Sequence, residues 1–243
     1  MTLKGKTALV TGGGSGIGWA IAAALADAGV RVAIAGRREN QLQSMIETHK
    51  KSQSMVFHRV NVAHRGSVNQ LVSWARNELG KIDILVNAAG INIKDRSMSS
   101  MPPEEWDQVM AINATGAYNC MHAVLPEMRE RQDGLVINIS SIAGKRASAL
   151  GGIAYNASKF AMTALGVGAG NEENSRGIRI TNVYPGEVNT PILEQRPVPV
   201  SEEHKQAILQ PDDVAQLVLA IAQLPPRAHV PEVVIKPLQQ GFF

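Results

Sequence analysis

Thr7-Ala8-Leu9-Val10-Thr11-Gly12-Gly13-Gly14-Ser15-Gly16-Ile17-Gly18 is the stretch on which the reading of this 243-residue chain turns. A short apolar run of strand character ends in glycines, and an alanine-rich helical pattern follows over 17–28. A strand that re-enters as a helix in this way aims several unpaired backbone N–H groups at one point, beside the positive end of the helix dipole. With glycine at the turn, no Cβ obstructs an anion seated there. The spacing is Gly-x-x-x-Gly-x-Gly, not the Gly-x-Gly-x-x-Gly of the commoner dinucleotide fingerprint. Taken alone, the run is either a diphosphate seat or a flexible glycine loop, and the rest of the chain decides between them.

Working outward, apolar runs at 8–10, 32–35, 55–60, 82–86, 135–139, 178–183 and 233–235 alternate with helix-period segments at 17–28, 39–50, 67–79, 103–131, 152–173 and 211–224. This is repeated βα. Strands without polar alternation are buried on both faces, so helices must cover both sides of a parallel sheet. The expected fold is α/β: a single-domain, doubly wound Rossmann fold with a seven-stranded, mostly parallel sheet and ligands at the strands' carboxyl ends. No repeat, low-complexity tract or linker divides the chain, so residues 1–243 are read as one NAD(P)-binding domain. The long irregular, proline-bearing segment 184–211 stands apart, and residues 186–210 within it are expected to form a substrate loop or lid.

Composition narrows the partners. An apolar content of 44% suffices for a sizeable core, and the net charge of +3 comes from scattered Lys and Arg with few aromatic residues. That pattern argues against nucleic acid; it suits an anionic ligand or simply a soluble surface. The single cysteine, Cys120, excludes an intrachain disulfide. No apolar run is long enough to cross a bilayer, and residues 1–6 lack the apolar core of a secretory signal, so a cytoplasmic protein with no membrane partner is expected. The sequons at Asn113 and Asn138 then carry no glycosylation meaning.

The end of the second strand, Val32-Ala33-Ile34-Ala35-Gly36-Arg37-Arg38, lacks the acidic residue that would bind the ribose 2′-hydroxyl of NAD. Gly36 leaves space, while the guanidinium groups of Arg37 and Arg38 suit a 2′-phosphate. NADP(H) is therefore the preferred cofactor, NAD(H) is not excluded, and the alternative is that both arginines are solvated. At the fourth strand's end, the small residues of Asn87-Ala88-Ala89-Gly90 let the chain pass close to a flat cofactor. Leu135-Val136-Ile137-Asn138-Ile139-Ser140-Ser141 then sets two hydroxyls at a strand's carboxyl end, followed by Tyr155-Asn156-Ala157-Ser158-Lys159 on a helix. At i, i+4 spacing Tyr155 and Lys159 share a face, and a lysine cation there favours phenolate over phenol, making Tyr155 a usable proton donor or acceptor.

With these residues in view, the chain resembles the short-chain dehydrogenase/reductase family in its compact form of about 250 residues, over nearly its whole length. Five elements agree in order: Thr11-Gly12-x-x-x-Gly16-x-Gly18; Asn87-Ala88-Ala89-Gly90; Asn113; Ser141 with Tyr155-x-x-x-Lys159; and Pro185-Gly186-x-x-x-Thr190. The resemblance implies hydride transfer between a nicotinamide and a small carbonyl or alcohol substrate, with no metal. It implies that Ser141, three residues before Gly144, hydrogen-bonds the substrate oxygen while Ser140 is structural, and that Tyr155 is the general acid/base. Lys159 would bind the nicotinamide ribose and depress the tyrosine pKa, and Asn113 would hold a water linking Lys159 to solvent. Cofactor contacts are implied for Gly12, Gly14, Ser15, Gly16, Ile17 and Gly18, for Asn87, Ala88 and Gly90, and for Tyr155 and Lys159 themselves. Pro185, Gly186, Val188 and Thr190 would close over the nicotinamide.

Two departures concern the cofactor. Asn61-Val62 stands where Asp-Val is usual, so the Asn61 side-chain carbonyl is expected to accept from the adenine amino group. Ser15 replaces a basic residue frequent in NADP-using members, which leaves the phosphate preference to Arg37 and Arg38. The C-terminal stretch His229–Pro237 lacks the glycine-rich finish typical of ketoacyl-carrier-protein reductases.

Gly166, Gly168 and Gly170 in the catalytic helix each cost about 0.8–1 kcal/mol relative to alanine, which calls for close packing on both sides. The sheet supplies one side, and a homodimer or homotetramer partner is the expected other, in agreement with the family. Phe242 and Phe243 either dock on a neighbour or fray. Lys94, Arg96, Lys145 and Arg146, in segments expected to frame the pocket, either face a carboxylate or are ordinary surface charges, the commoner case. Hydroxy acids, hydroxysteroids, sugars and simple ketones all stay open as substrates. A same-fold NADP(H) sensor without turnover is the alternative, disfavoured by Ser141, Tyr155 and Lys159 occurring together; a related epimerase or dehydratase normally has a larger substrate domain.

Overall fold

The computed structural model describes residues 1–241; Phe242 and Phe243 lie outside the described residues. Strand β1 (Thr7–Thr11) is wholly buried and runs through the glycine turn into α1 (Gly16–Asp27). The repeat continues as β2 (Arg31–Gly36), α2 (Glu39–Glu47), β3 (Met55–Arg59), α3 (Arg65–Leu79) and β4 (Ile84–Asn87). The second half holds α4 (Pro103–Met110), α5 (Gly116–Arg131), β5 (Gly134–Ile139), α6 (Ile153–Glu173), β6 (Ile178–Pro185), α7 (Glu202–Ala207), α8 (Pro211–Ala222) and β7 (Glu232–Ile235).

The seven strands form one sheet in the order β3-β2-β1-β4-β5-β6-β7, and every pairing is parallel. Val10 lies opposite Ile34 on one side and Val86 on the other. Chain direction across the sheet reverses between β1 and β4, and a crevice opens outside the carboxyl ends at such a switch point. Successive side chains of a strand point to opposite faces, so β1 feeds two cores. Ala8 and Val10 pack with Ile21, Leu25, Leu42 and Val218 of α1, α2 and α8. Leu9 packs on the other face with Val68, Leu71, Val124 and Met128 of α3 and α5.

Two elements differ from the sequence expectation. The helix expected over 103–131 is interrupted by a π-helical turn at Ala111–Thr115, with Asn113 in its middle. From this turn the Asn113 amide hydrogen-bonds both backbone groups of Ile91. The segment 184–211 is also less irregular than its prolines suggest, because it holds a 3-10 turn at Pro191–Gln195 and the short helix α7.

Candidate active site

The glycine turn is shaped by close approach. Gly12 (φ 69°) and Gly16 (φ 53°) are left-handed, and a Cβ on Gly12 would lie 2.6 Å from the Ala88 carbonyl group. The turn is pinned where Gly13 N donates to Ala35 O at 3.2 Å. Ser15 stands at the N-cap of α1, yet its side chain makes no capping bond and the first turn holds no acidic residue. The helix's free N–H groups and positive pole are thus left to an external anion. Thr190 closes over them, 3.1–3.2 Å from where a Gly16 Cβ would stand.

From this turn a cleft of about 880 Å³ runs one way to Arg37 and Arg38 and the other past Ala88 and Gly90 to Ser141, Tyr155 and Lys159. Gly14, Ile17, Gly18, Asn61, Val62, Pro185, Gly186 and Val188 line it too. A cleft of this size and polarity, with its anion seat in the middle, fits a nicotinamide dinucleotide. At the adenosine end, Arg37 and Arg38 are exposed and share a depression with Arg59, and none of the three has an acidic partner within 4.0 Å among the described residues. Sequence reading missed Arg59; its signal was its position on β3, in register with Gly36. Asn61 differs from expectation, since its Oδ1 accepts from Ala63 N at 3.2 Å and its backbone carbonyl from His64 N at 3.1 Å. Its side-chain oxygen holds the turn.

At the other end, α6 presents Tyr155 and Lys159 one turn apart, with Lys159 Nζ 5.5 Å from the Tyr155 ring centre. Lys159 is buried and donates to Ile139 O at 2.8 Å, tying α6 to the end of β5. Ser141 lines the cleft, where its Oγ accepts from Ala143 N at 3.1 Å, whereas Ser140 is buried and donates to Lys159 O at 3.2 Å. Gly90 leaves a gap between two side chains, because a Cβ there would stand 3.5 Å from Asn113 Oδ1 and 3.6 Å from Lys159 Nζ.

Burial raises the Tyr155 pKa above its ordinary value, opposed by the Ser141 hydroxyl and the positive charge of Arg96. Burial also lowers Lys159, to about 8. The expectation that Lys159 depresses the tyrosine is therefore not met: burial of the phenol outweighs its neighbours, and the cation that acts on it is Arg96.

Two residues expected at the cleft lie behind it. Asn87 is buried beneath the floor and donates to Asn138 Oδ1 at 3.0 Å; Asn138 passes the chain to Asn182 at 3.1 Å, and Asn182 donates to Thr163 O. These amides stitch β4, β5 and β6 together where the strands end, which is why Asn87 does not face the cofactor space. Asn113 is fully buried: its Oδ1 accepts from Ile91 N at 2.8 Å, and its Nδ2 donates to Ile91 O at 2.9 Å and Ser158 Oγ at 3.0 Å. Its amide clamps the loop after β4 and has no donor left for a water.

The segment over the cleft is fastened at several points. Asn189 N donates to Leu209 O at 2.8 Å, and Glu187 accepts from Arg196 at 2.9 Å and pairs with His204 at 2.8 Å. Lys145 pairs with Glu232 at 2.9 Å and covers the Tyr184 ring, while Lys94 and Arg146 are exposed.

Comparison with known proteins agrees with this geometry. The family model described as short chain dehydrogenase matches residues 6–198. An uncharacterized oxidoreductase of Staphylococcus saprophyticus is 33% identical over 238 residues, covering 97% of this chain and 99% of that protein. Among solved structures, an alcohol dehydrogenase from the archaeon Thermococcus sibiricus, complexed with 5-hydroxy-NADP, superposes with a TM-score of 0.87 at 25% identity, over 97% of this chain and 98% of that one. A 3-ketoacyl-(acyl-carrier-protein) reductase from Brucella melitensis, complexed with NADH, gives a TM-score of 0.87 at 26% identity, over 98% and 99% of the two chains.

Proposed function

The chain belongs to the short-chain dehydrogenase/reductase family and is an oxidoreductase with a nicotinamide cofactor; from that premise we propose that it is NADP(H)-dependent and interconverts a carbonyl and an alcohol with Tyr155 as general acid/base. The observation that carries the reading is one cleft joining the anion seat at the N-terminus of α1 to Tyr155 and Lys159. When bound, the nicotinamide supplies or accepts the hydride. Gly12, Gly14, Ser15 and Gly16–Gly18 hold the diphosphate, and Arg37 and Arg38, joined by Arg59, hold the 2′-phosphate. Ser141 fixes the substrate oxygen. Tyr155, kept protonated by burial, delivers its hydroxyl proton to that oxygen in reduction and removes it in oxidation. The Ser141 hydroxyl and the charge of Arg96 favour the phenolate that the proton's departure leaves, and Lys159, beside the ring, holds the nicotinamide ribose. Residues 186–210 close over the reacting atoms and exclude water.

The test is a spectrophotometric screen of carbonyl compounds with NADPH or NADH, and of alcohols with NADP⁺ or NAD⁺, on the wild type and Tyr155→Phe. Turnover should favour the phosphorylated cofactor, and Tyr155→Phe should lose about 10²–10⁴-fold in turnover while NADPH affinity is kept. Undiminished activity in Tyr155→Phe would overturn the mechanism. A preference for NADH would return Arg37 and Arg38 to the solvated surface, and tight NADPH binding without turnover of any compound would make the protein a sensor.

A further inference from the structure

Arg96 is 8% exposed, lines the cleft, and has no carboxylate partner within 4.0 Å among the described residues. A guanidinium has five N–H donors. One Nη1 hydrogen serves Leu150 O at 2.8 Å, one Nη2 hydrogen serves Gln195 O, and the buried Nε has no partner. Three donors and a full positive charge are left unanswered.

An unpaired cation away from water is expensive, and the one group that relieves it, Tyr155, does so only as phenolate, a form that burial disfavours. Burial, and after it the like charge of Arg196, lowers the Arg96 pKa. The acid that balances Arg196 is Glu187, already engaged by both Arg196 and His204. Glu105 lines the same cleft but lies beyond ion-pair distance of Arg96. A purely structural strap between the loops at Leu150 and Gln195 would explain two donors. It explains neither the charge nor the idle Nε.

The chain is built around this side chain. Gly152 is left-handed at φ 78°, and a Cβ there would stand 2.8 Å from Arg96 Cγ. The Arg96 carbonyl accepts from Ile153 N at 3.0 Å, at the start of α6 and two residues before Tyr155. Cation and proton donor are thus tied by a backbone hydrogen bond, and the guanidinium is held by two carbonyls. Resting on the oxidoreductase reading of this cleft, we propose that Arg96 is the receptor for a substrate carboxylate, so that the protein acts on oxo acids and hydroxy acids in preference to neutral ketones and alcohols.

A carboxylate on the fork replaces missing counter-charge with charge-assisted hydrogen bonds, each worth about 1.5–3 kcal/mol or roughly 10–100-fold in affinity. Two readouts test this, one of them without turnover. In the first, short oxo acids are each paired with their methyl ester and kcat/KM is measured with NADPH. In the second, butanoate and its uncharged counterpart butanamide are titrated calorimetrically into the NADPH-bound protein. The wild type should prefer acids to esters by at least about 10-fold and bind butanoate over butanamide. Arg96→Met, which keeps the stem, should lose both preferences at unchanged NADPH affinity, and Arg96→Lys, which keeps the charge without the fork, should retain part of each; should Arg96→Met not fold, Arg96→Lys and the wild-type ratios decide.

The proposal is overturned if esters match or exceed acids, if butanoate binds no better than butanamide, or if a folded Arg96→Met binds butanoate as the wild type does. Butanoate binding through Arg96 with no turnover of any compound would sink the oxidoreductase reading, and the action on oxo acids with it, and leave Arg96 as a carboxylate receptor alone. Reduction of neutral ketones without acid preference would do the reverse.

Discussion

Lys159 makes the site's chemistry visible in the protein's stability. Burial lowers its pKa from 10.5 to about 8, so the folded chain releases this proton well before the unfolded chain does. Between those values the unfolded state binds the extra proton, and stability rises with pH. Below about pH 8 both states hold the charge and the full cost of burying it is present. The gain should therefore begin near pH 8, end near 10.5 and amount to at most about 3 kcal/mol, at 1.36 kcal/mol per pKa unit. Lys159→Met removes the titrating group while keeping most of the stem. Denaturant unfolding across this range should show the wild type gaining stability relative to the variant as pH rises from about 8 to 10.5, and parallel curves would contradict the assignment. The chain also corrects an inference from spacing alone: i, i+4 neighbours on α6 do meet, but burial raises Tyr155 against the Ser141 hydroxyl and the charge of Arg96.

At the scale of elements, the glycines of α6 separate into two kinds. A Cβ on Gly166 would collide with the Asn182 amide on the sheet, while one on Gly168 would meet nothing within 4 Å. Gly166→Ala should therefore destabilise by about 1–3 kcal/mol, as overpacking does. Gly168→Ala should be neutral or stabilising by up to about 1 kcal/mol within one chain, by helix propensity; equal losses in thermal unfolding for the two variants would refute the distinction. Much of the architecture was legible in advance because apolar runs and helical periods report burial directly: the seven strands, the glycine turn and the Tyr155–Lys159 pair fall where the pattern puts them. What was not legible depends on contacts distant in sequence. The π-turn at Asn113 answers to Ile91, and the helix α7 lies in a segment whose prolines read as irregular. Asn87 reads as a strand-end residue facing the cofactor, yet its amide belongs to a chain across β4, β5 and β6 that no single strand's pattern announces. Arg96 looks like any surface arginine until the loops around it are folded.

At the scale of the whole molecule, α5 and α6 leave apolar area facing outward. Tyr118 on α5 and Phe160 and Val167 on α6 are 41–42% exposed, and Phe160 and Val167, seven residues apart, share one helix face. Gly168 stands beside them with open space where its side chain would be. Exposed apolar side chains on two helices are costly to leave in water, and a symmetric copy of the same surface covers them economically. The assembly expected is a homodimer or homotetramer in which each α6, and hence each Tyr155, is braced from behind by its counterpart. Light scattering at micromolar concentration should then give a mass that is a multiple of the 26.0 kDa chain. Tyr118→Glu and Val167→Glu, neither of which lines the cleft, place unpaired charges in the buried centre of the interface and should shift the mass to one chain while NADPH still binds. A single-chain mass for the wild type, or an unchanged mass for both variants, would show that this face meets only water, and the glycines of α6 would need another explanation.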